Sequence, residues 1–127
     1  MSDIDSALRA IEDLFGKYEF TWHAEHVAQC RERLIREGAA AYQHLATLEW
    51  WGGSGSIADI SLCRPGQKST DESIEDNRAL CLALIAVSEA MEVNGMKMDR
   101  ARRWADVFRK WEAEKTWDHL RKGKKDG

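Results

Sequence analysis

The chain has 127 residues, of which 32% are charged and one is proline, and its formal net charge is −3. This composition is typical of one helical domain, which we expect over residues 1–121, with a flexible basic tail at residues 122–127. No apolar run approaches the roughly 20 residues of a membrane span, and the acidic N-terminus has no signal-peptide pattern. Three cysteines far apart, Cys30, Cys63 and Cys81, favour reduced thiols and a cytoplasmic location.

The charges are unevenly distributed along the chain. Residues 1–96 hold 8 basic and 16 acidic residues, whereas residues 97–127 hold 11 basic and 6 acidic ones. The first region therefore suits a partner with a basic surface. The second region is less basic than a nucleic-acid footprint, because acidic residues such as Asp99, Asp106 and Asp118 interrupt it.

The first fifty residues predict three helices. A helix over residues 3–15 would end at Gly16, and Thr21 would cap a second helix that ends before Gly38. A third helix is predicted over residues 39–50. The residues that recur at three- and four-residue steps and should face the core are Ile4, Leu8, Ile11, Phe15 and Tyr18, followed by His23, Val27, Cys30 and Leu34. Trp22 and His26 fall on a flank away from this stripe.

A glycine-rich segment follows Trp50 and Trp51, and it is the most unusual stretch of the chain. Gly52 or Gly53 would end the preceding helix in the left-handed conformation. Ser56 and Asp59 resemble a capping box for a short helix over residues 57–62. A β-strand over the same residues is the alternative, but the apolar residues do not alternate cleanly, and the short helix is favoured.

This segment has two possible roles. In the first, Gly52, Gly53, Gly55, Ser56 and Asp59 form a tight structural corner between helices. In the second, main-chain N–H groups and hydroxyls of Gly53, Ser54, Gly55 and Ser56 bind a phosphate or carboxylate. The segment lacks the lysine of a P-loop and follows no strand, so neither nucleotide-binding motif applies. The structural role is favoured.

Residues 52–62, Gly-Gly-Ser-Gly-Ser-Ile-Ala-Asp-Ile-Ser-Leu, resemble a family signature. The signature is G-G-x-G-S-x-x-D-x-x-L, and it belongs to small, uncharacterised bacterial proteins that are helical. The resemblance implies a protein that is suspected to act as an immunity protein beside a toxin. It implies no catalytic residues.

The second part of the chain predicts two longer helices. After a polar Pro-Gly loop at residues 63–69, Ser69 or Thr70 begins a helix that ends at Asn94-Gly95. Its first turns carry Asp71, Glu72, Glu75 and Asp76, which match the positive end of the helix dipole. Residues 79–87 are apolar all round, so they should form the buried centre of the fold.

The last helix is predicted to start near Asp99. One side of this helix presents Ala101, Trp104, Phe108 and Trp111, whereas Ala113, Trp117 and Leu120 point to the opposite side. Two explanations are open. The helix breaks near Glu112 and the chain folds back on its own body, which is slightly favoured, or the second patch meets a partner or a second copy of the chain.

Three sets of residues could form chemical sites, and each also has a structural explanation. His23 and His26 are spaced to share a metal ion, but no further ligand motif follows, so one core and one surface histidine are favoured. The four acidic residues at 71–76 could bind a divalent cation, but a solvated helix start is favoured. Cys63 is the best placed thiol for a nucleophile, but no motif pairs it with His44 or His119. No cofactor and no metal are expected.

The sequence thus predicts an all-α bundle of about five helices plus a short helix, arranged around residues 79–87. The leading functional hypothesis is a non-catalytic bacterial protein that binds another protein, as an immunity protein neutralising a toxin. Its candidate contacts are Trp22, Trp51 and Trp117 as aromatic anchors, with Asp71, Glu72, Glu75 and Asp76 facing a basic cleft. The alternative is a small ligand-binding protein or enzyme that holds an anionic group at residues 52–56. A homodimer through Trp117 and Leu120 is a weaker option.

Overall fold

The computed structural model describes residues 2–62, 70–115 and 117, and these residues form helices and connecting segments without a β-strand. The all-α prediction is confirmed. In chain order the elements are α1 (Ser2–Lys17), α2 (Thr21–Glu37), a 3-10 helix (Gly38–Leu45), α3 (Leu48–Trp51), a 3-10 turn (Ile57–Asp59), α4 (Asp71–Val93) and α5 (Asp99–Glu114). The expected loop at residues 63–69, including Cys63, and the residues from 118 onwards, including Leu120 and the tail, lie outside the described residues.

Helix α4 is the centre of the packing. It lies against α1 on one side and α5 on another, while α2 packs on α1. Leu80, Leu84 and Val87 are almost completely buried, as predicted for the apolar centre of the fold. Ala79 is exposed, so residues 79–87 are not buried on every side. Each large apolar side chain in this core contributes roughly 1.5–3 kcal/mol by leaving water.

The first helix boundary differs from the prediction. Helix α1 continues through Gly16 and ends at Lys17, and the chain reverses at Glu19, which has a φ of 65°. The hydrogen bond from the Phe20 N–H to the Phe15 carbonyl, at 2.8 Å, closes this turn. Thr21 is the first residue of α2 and not its cap. The residue before α2 is Phe20, whose side chain forms no capping hydrogen bond.

The predicted α-helix over residues 39–50 is wrong. The chain forms a 3-10 helix over Gly38–Leu45 and then a separate single α-turn over Leu48–Trp51. Residues three apart lie directly above each other in a 3-10 helix, and this spacing places both Tyr42 and Leu45 in the core. The interruption between the two pieces also allows Trp50 and Trp51 to be buried together.

The two helices of the second part begin and end close to the predicted residues. Thr70 caps α4 through a hydrogen bond from the Ser73 N–H to its Oγ1, at 3.1 Å, and the Ser73 Oγ accepts from the Thr70 N–H at 2.8 Å. This reciprocal pair is a capping box. Helix α4 ends before Asn94 and Gly95, and α5 ends before Lys115, which is left-handed with a φ of 56°. The predicted break near Glu112 is therefore found three residues later.

Two of the predicted thiols lie in the core. Cys30 and Cys81 are free and buried, and burial raises the pKa of the Cys81 thiol to about 12. A thiol with such a pKa stays protonated at neutral pH and is a poor nucleophile. Among the described helices, none is long and apolar enough to cross a membrane.

An ion pair joins α4 to α5. The Arg78 guanidinium donates to both carboxylate oxygens of Glu112, at 2.8 and 2.6 Å, and Trp117 Nε1 donates to Glu112 Oε1 at 2.8 Å. The Arg78 donors, followed by the Trp117 hydrogen bond, lower the pKa of Glu112 to about 2. Glu112 therefore stays ionised far into the acid range and helps to fix Trp117 against the bundle.

This pair predicts a specific pH dependence of stability. Because the pKa of Glu112 is lower in the folded chain than in the unfolded one, its contribution is complete above about pH 4.5 and is lost as the pH falls towards 2. We expect Glu112→Gln to lower the urea midpoint at pH 7, with the difference from the unsubstituted chain shrinking through this pH window. Glu75→Gln, at a side chain that is 70% exposed, is the matched control. An equal difference at pH 7 and pH 2 would contradict the prediction.

Candidate protein-binding surface

The glycine-rich segment forms a tight corner directly after α3. A Cβ atom on Gly52 would lie 2.6 Å from the main-chain oxygen of Leu48, so only glycine fits there without movement of the backbone. Gly55 has a φ of 85°, which also favours glycine. The Ser56 hydroxyl is buried and donates to the Gly52 carbonyl at 2.9 Å, and this bond closes the corner.

The corner differs from the prediction in two respects. The left-handed glycine is Gly55, whereas Gly52 has a φ of −75°. The predicted short helix is one 3-10 turn over Ile57–Asp59, followed by extended chain, and the Ser56 side chain does not cap it. The Asp59 carboxylate instead accepts from the Gly55 N–H at 3.3 Å, so it stabilises the corner and not a helix start.

The predicted anion site at Gly53, Ser54, Gly55 and Ser56 has two of its hydrogen-bond donors already engaged within the protein. The Gly55 N–H already faces the Asp59 carboxylate, and the Ser56 hydroxyl already donates to a main-chain carbonyl. His23 Nε2 lies 3.0 Å from the Gly55 carbonyl oxygen. An incoming phosphate would meet a like charge at Asp59 and would have to displace it. The geometry thus favours a self-contained corner.

Trp22 lies beside this corner, at the start of α2, and is 57% exposed. Its ring stacks on His26 with 5.2 Å between centroids and 7° between planes, and it meets His23 edge-on at 5.0 Å. Burial lowers the pKa of His26, so this imidazole is neutral at pH 7. Two histidines that are spaced along one helix therefore hold a solvent-exposed indole in a fixed orientation.

Leu48 and Glu49 complete this part of the surface. Together with Trp22 and the corner they line a shallow depression of about 280 Å³. Leu48 is 62% exposed, and Glu49 is exposed next to it. The Trp22 surface is defined as Trp22, Leu48, Glu49, Ser54, Gly55 and Ser56. It joins an aromatic anchor, an aliphatic side chain and a carboxylate, which is a combination suited to binding another protein.

The other two predicted aromatic anchors are buried, and this part of the prediction is corrected. Trp51 is completely buried, and its Nε1 donates to the Leu45 carbonyl at 2.7 Å. Trp117 is 6% exposed and packs edge-on against Trp111, with 5.7 Å between ring centroids. The chain after α5 therefore folds back on the bundle at Trp117, as the favoured explanation expected, and neither indole is available to a partner.

The acidic cluster at the start of α4 is partly used within the fold. Lys17 at the end of α1 donates to Asp76 at 2.8 Å and also to Glu72, and the Tyr18 hydroxyl donates to Asp76 at 2.7 Å. Asp76 and Glu72 raise the pKa of Lys17, and burial together with Asp76 raises the pKa of Tyr18 to about 12. These two acids therefore attach α1 to α4, and the four-residue cluster is not a uniform anionic surface.

The remaining members of the cluster differ in position. Glu75 is 70% exposed and lies 3.5 Å from Arg78, whose main partner is Glu112. Asp71 is exposed in the first turn of α4. Within the described residues, no group of three or more histidine, cysteine, aspartate or glutamate side chains is placed to hold a metal ion.

The sequence pattern predicts the exposure of Trp22 but not that Leu48 and Glu49 lie beside it. The spacing of Trp22 and His26, four residues apart on an exposed helix flank, is a signal for their stacking. Leu48 and Glu49 carried no such signal, because the predicted helix over residues 39–50 did not contain the break that turns Leu48 outwards. Comparison of the chain with protein-family models, with curated proteins and with solved structures gave no significant match.

Proposed function

We propose that the chain is a non-catalytic bacterial protein that binds another protein, and that it acts as an immunity protein by neutralising a cognate toxin. The observation that carries the proposal is the exposed Trp22 indole, fixed by its histidine neighbours beside Leu48. Tryptophan is among the residues that contribute most at protein interfaces. A side chain that is already ordered loses less entropy on binding, and this increases the affinity that it can supply.

The charge of the chain supports a partner with a basic surface. Residues 1–96 carry twice as many acidic as basic residues, and Glu49 belongs to the Trp22 surface itself. Charge complementarity of this kind accelerates association and makes it dependent on salt. The part of the proposal that concerns toxins is supported by the resemblance of residues 52–62 to the signature of small helical bacterial proteins.

The structure changes how the acidic residues should be tested. Reversing Asp76 would break its contacts with Lys17 and Tyr18, so a loss of binding would not separate recognition from folding. Glu49 and Glu75 are exposed and are better choices. Charge reversal at Glu49 should slow association most at low salt, whereas the same change at Glu75 shows whether the start of α4 contributes.

The decisive experiment uses the proteins encoded next to this gene. Each is expressed in a host with and without the chain, and growth is measured together with binding by calorimetry. We expect one of them to inhibit growth, the chain to restore growth, and Trp22→Ala to weaken binding by at least about 30-fold, since an interface tryptophan contributes 2 kcal/mol or more.

Ile35→Ala is the matched control, because Ile35 lies on the same helix as Trp22 and is 68% exposed. It should bind like the unsubstituted chain. If no neighbouring protein is toxic, the immunity role is wrong. If a partner is found and Trp22→Ala binds with unchanged affinity, the Trp22 surface is not the interface.

The alternative function, an anionic ligand at Gly53, Ser54, Gly55 and Ser56, can be separated from protein binding by thermal shift. A Cβ atom added at Gly53 would have no atom within 4 Å, and Gly53 has no positive φ, so Gly53→Val should fold normally. Stabilisation by phosphate or nucleotides that disappears in this variant would favour the alternative. We expect no stabilisation, because the Asp59 carboxylate occupies the corner.

A further inference from the structure

A second recess lies on the bundle, between the extended chain after Ile57–Asp59, helix α4 and helix α5. It has a volume of about 260 Å³, enough for several water molecules at about 30 Å³ each. Four aromatic side chains line it: Trp104, Phe108, Trp111 and Trp117. We call it the aromatic cavity. The proposed protein-binding function makes no use of it.

The aromatic side chains form a continuous row along α5 and the chain after it. Ring centroids of successive members are 5.6 Å apart for Trp104 and Phe108, 5.7 Å for Phe108 and Trp111, and 5.7 Å for Trp111 and Trp117. Such spacing is typical of packed aromatic pairs and keeps each ring in a defined position. The wall of the aromatic cavity is therefore preformed.

The polar atoms of two of these indoles are engaged elsewhere. Trp104 Nε1 donates to the Trp51 carbonyl at 3.2 Å, and Trp117 Nε1 donates to Glu112 at 2.8 Å. Both N–H groups are thus bonded to the protein and are not left to donate to a ligand. Trp117 is buried, so the ring surface that a ligand can reach belongs mainly to the partly buried Trp104 and Trp111.

Asn77 and Ser61 are neutral polar residues of the wall, and Asn77 is already hydrogen-bonded within the protein. Its Oδ1 accepts from the Leu62 N–H at 2.7 Å, while its Nδ2 donates to the Leu62 and Ser73 carbonyls at 3.0 and 2.7 Å. Asn77 holds the extended chain in place and has little left for a ligand. Cys81, with a protonated thiol, adds another weakly polar surface.

Asp59 also lines the aromatic cavity. Of the described residues that line it, no other carries a formal charge. The Asp59 residue is exposed, and its carboxylate accepts one main-chain hydrogen bond, from Gly55. No ion pair to Asp59 forms within residues 2–62 and 70–115. The described part of the cavity therefore combines aromatic ring surface with one carboxylate.

We propose that the aromatic cavity binds a small organic cation, an ammonium group with an apolar body, between the aromatic side chains and the Asp59 carboxylate. Aromatic rings attract cations through their quadrupole, and they do so most strongly when the cation is poorly hydrated, as a quaternary ammonium is. An anion would be repelled by Asp59. A neutral ligand of the same shape would gain the apolar contacts but not the electrostatic ones.

Choline and its neutral carbon analogue, 3,3-dimethylbutan-1-ol, form a matched pair of probes. They are titrated into the full chain, with binding followed by calorimetry and by the indole N–H signals in nitrogen-15 NMR spectra. We expect choline to bind saturably, with shifts at the indole signals of Trp104, Trp111 and Trp117. The neutral analogue should bind at least about tenfold more weakly, a ratio that corresponds to about 1.4 kcal/mol and lies within what a desolvated cation–π contact supplies.

Two substitutions test whether the Asp59 carboxylate and the aromatic rings contribute to choline binding. Asp59→Asn keeps an oxygen acceptor for the Gly55 N–H but removes the charge, and it should reduce choline affinity to that of the neutral analogue. Trp111→Leu should also weaken choline binding, with folding verified by circular dichroism, while Ile35→Ala, at an exposed side chain that does not line the cavity, should leave it unchanged. Equal affinity for the two probes, unchanged affinity in Asp59→Asn, or no saturable binding of choline would each overturn the proposal. Asp59→Asn decides the question alone if Trp111→Leu does not fold.

Discussion

Replacing Trp51 with alanine is expected to lower the free energy of unfolding by about 3–5 kcal/mol, because it removes a completely buried indole and leaves a cavity in the core. The indole also forms the 2.7 Å hydrogen bond to the Leu45 carbonyl that attaches α3 to the preceding 3-10 helix. Chemical denaturation at neutral pH, followed by far-ultraviolet circular dichroism, measures the change. A loss of this size is a large part of the 5–15 kcal/mol that stabilises a typical domain.

Two further variants separate the effect of the lost hydrogen bond from that of the lost buried volume, and a buried tryptophan from an exposed one. Trp51→Phe keeps a ring in the core but leaves the Leu45 carbonyl without its donor, so we expect a smaller loss of about 1–2 kcal/mol. Trp22→Ala, at the exposed indole, should change the free energy of unfolding by about 0.5 kcal/mol or less. If Trp51→Ala were as mild as Trp22→Ala, the burial of Trp51 would be contradicted.

Adding a single methyl group at Gly52 is expected to cost about 1–3 kcal/mol, the range for forcing extra volume into a closely packed site. The new Cβ would lie 2.6 Å from the Leu48 oxygen, which also accepts the Gly52 N–H at 2.8 Å. The backbone must move to relieve the contact, and this movement weakens the bond that ends α3.

The neighbouring glycine provides the control for this substitution. Gly53→Ala has no atom within 4 Å of the added Cβ and no positive φ, so it should be neutral or stabilise by up to about 1 kcal/mol through the unfolded chain. The two variants are compared by urea denaturation under identical conditions. Equal free energies of unfolding for Gly52→Ala and Gly53→Ala would show that the corner is not as tightly packed as described.

The longer helices were predictable because local signals and packing agree for them. The apolar residues of α1 and α5 recur at helical spacing, Thr70 provides a side-chain cap for α4, and Asn94-Gly95 ends it. A helix of sixteen or more residues contains enough turns for this periodicity to dominate. The boundary at Gly16 was wrong because a glycine at an exposed helix position costs only about 1 kcal/mol, and the packing of Phe15 and Tyr18 outweighs this cost.

The segment from Gly38 to Asp59 was less predictable, because its shape is determined by contacts distant in sequence. Its alanine-rich start has high helix propensity, yet the chain forms a 3-10 helix and then a single α-turn. The break lets two consecutive tryptophans enter the core, where Trp104, fifty-three residues away, donates to the Trp51 carbonyl. Propensity is a weak guide where such tertiary contacts decide the backbone.

The candidate sites were likewise predictable where local sequence spacing places a residue, and unpredictable where contacts distant in sequence do. The exposure of Trp22 followed from its place on the flank of α2. The burial of Trp51 depended on the break between the 3-10 helix and α3, which the apolar spacing of residues 39–50 did not indicate. The partial neutralisation of the acids on α4 depended on Lys17, which lies more than fifty residues earlier in the chain. The aromatic cavity was not predicted either, since Asp59 and Trp117 approach each other only after the chain folds back.

The unequal exposure of the tryptophans has an optical consequence. Trp50 and Trp51 are completely buried, whereas Trp22 is the most exposed of the six indoles. Iodide in solution should therefore quench the emission of Trp22 first and leave that of the core indoles largely unaffected. The surface proposed to meet another protein thus contains its own fluorescent reporter, and a partner that covers it would be detected without any attached dye.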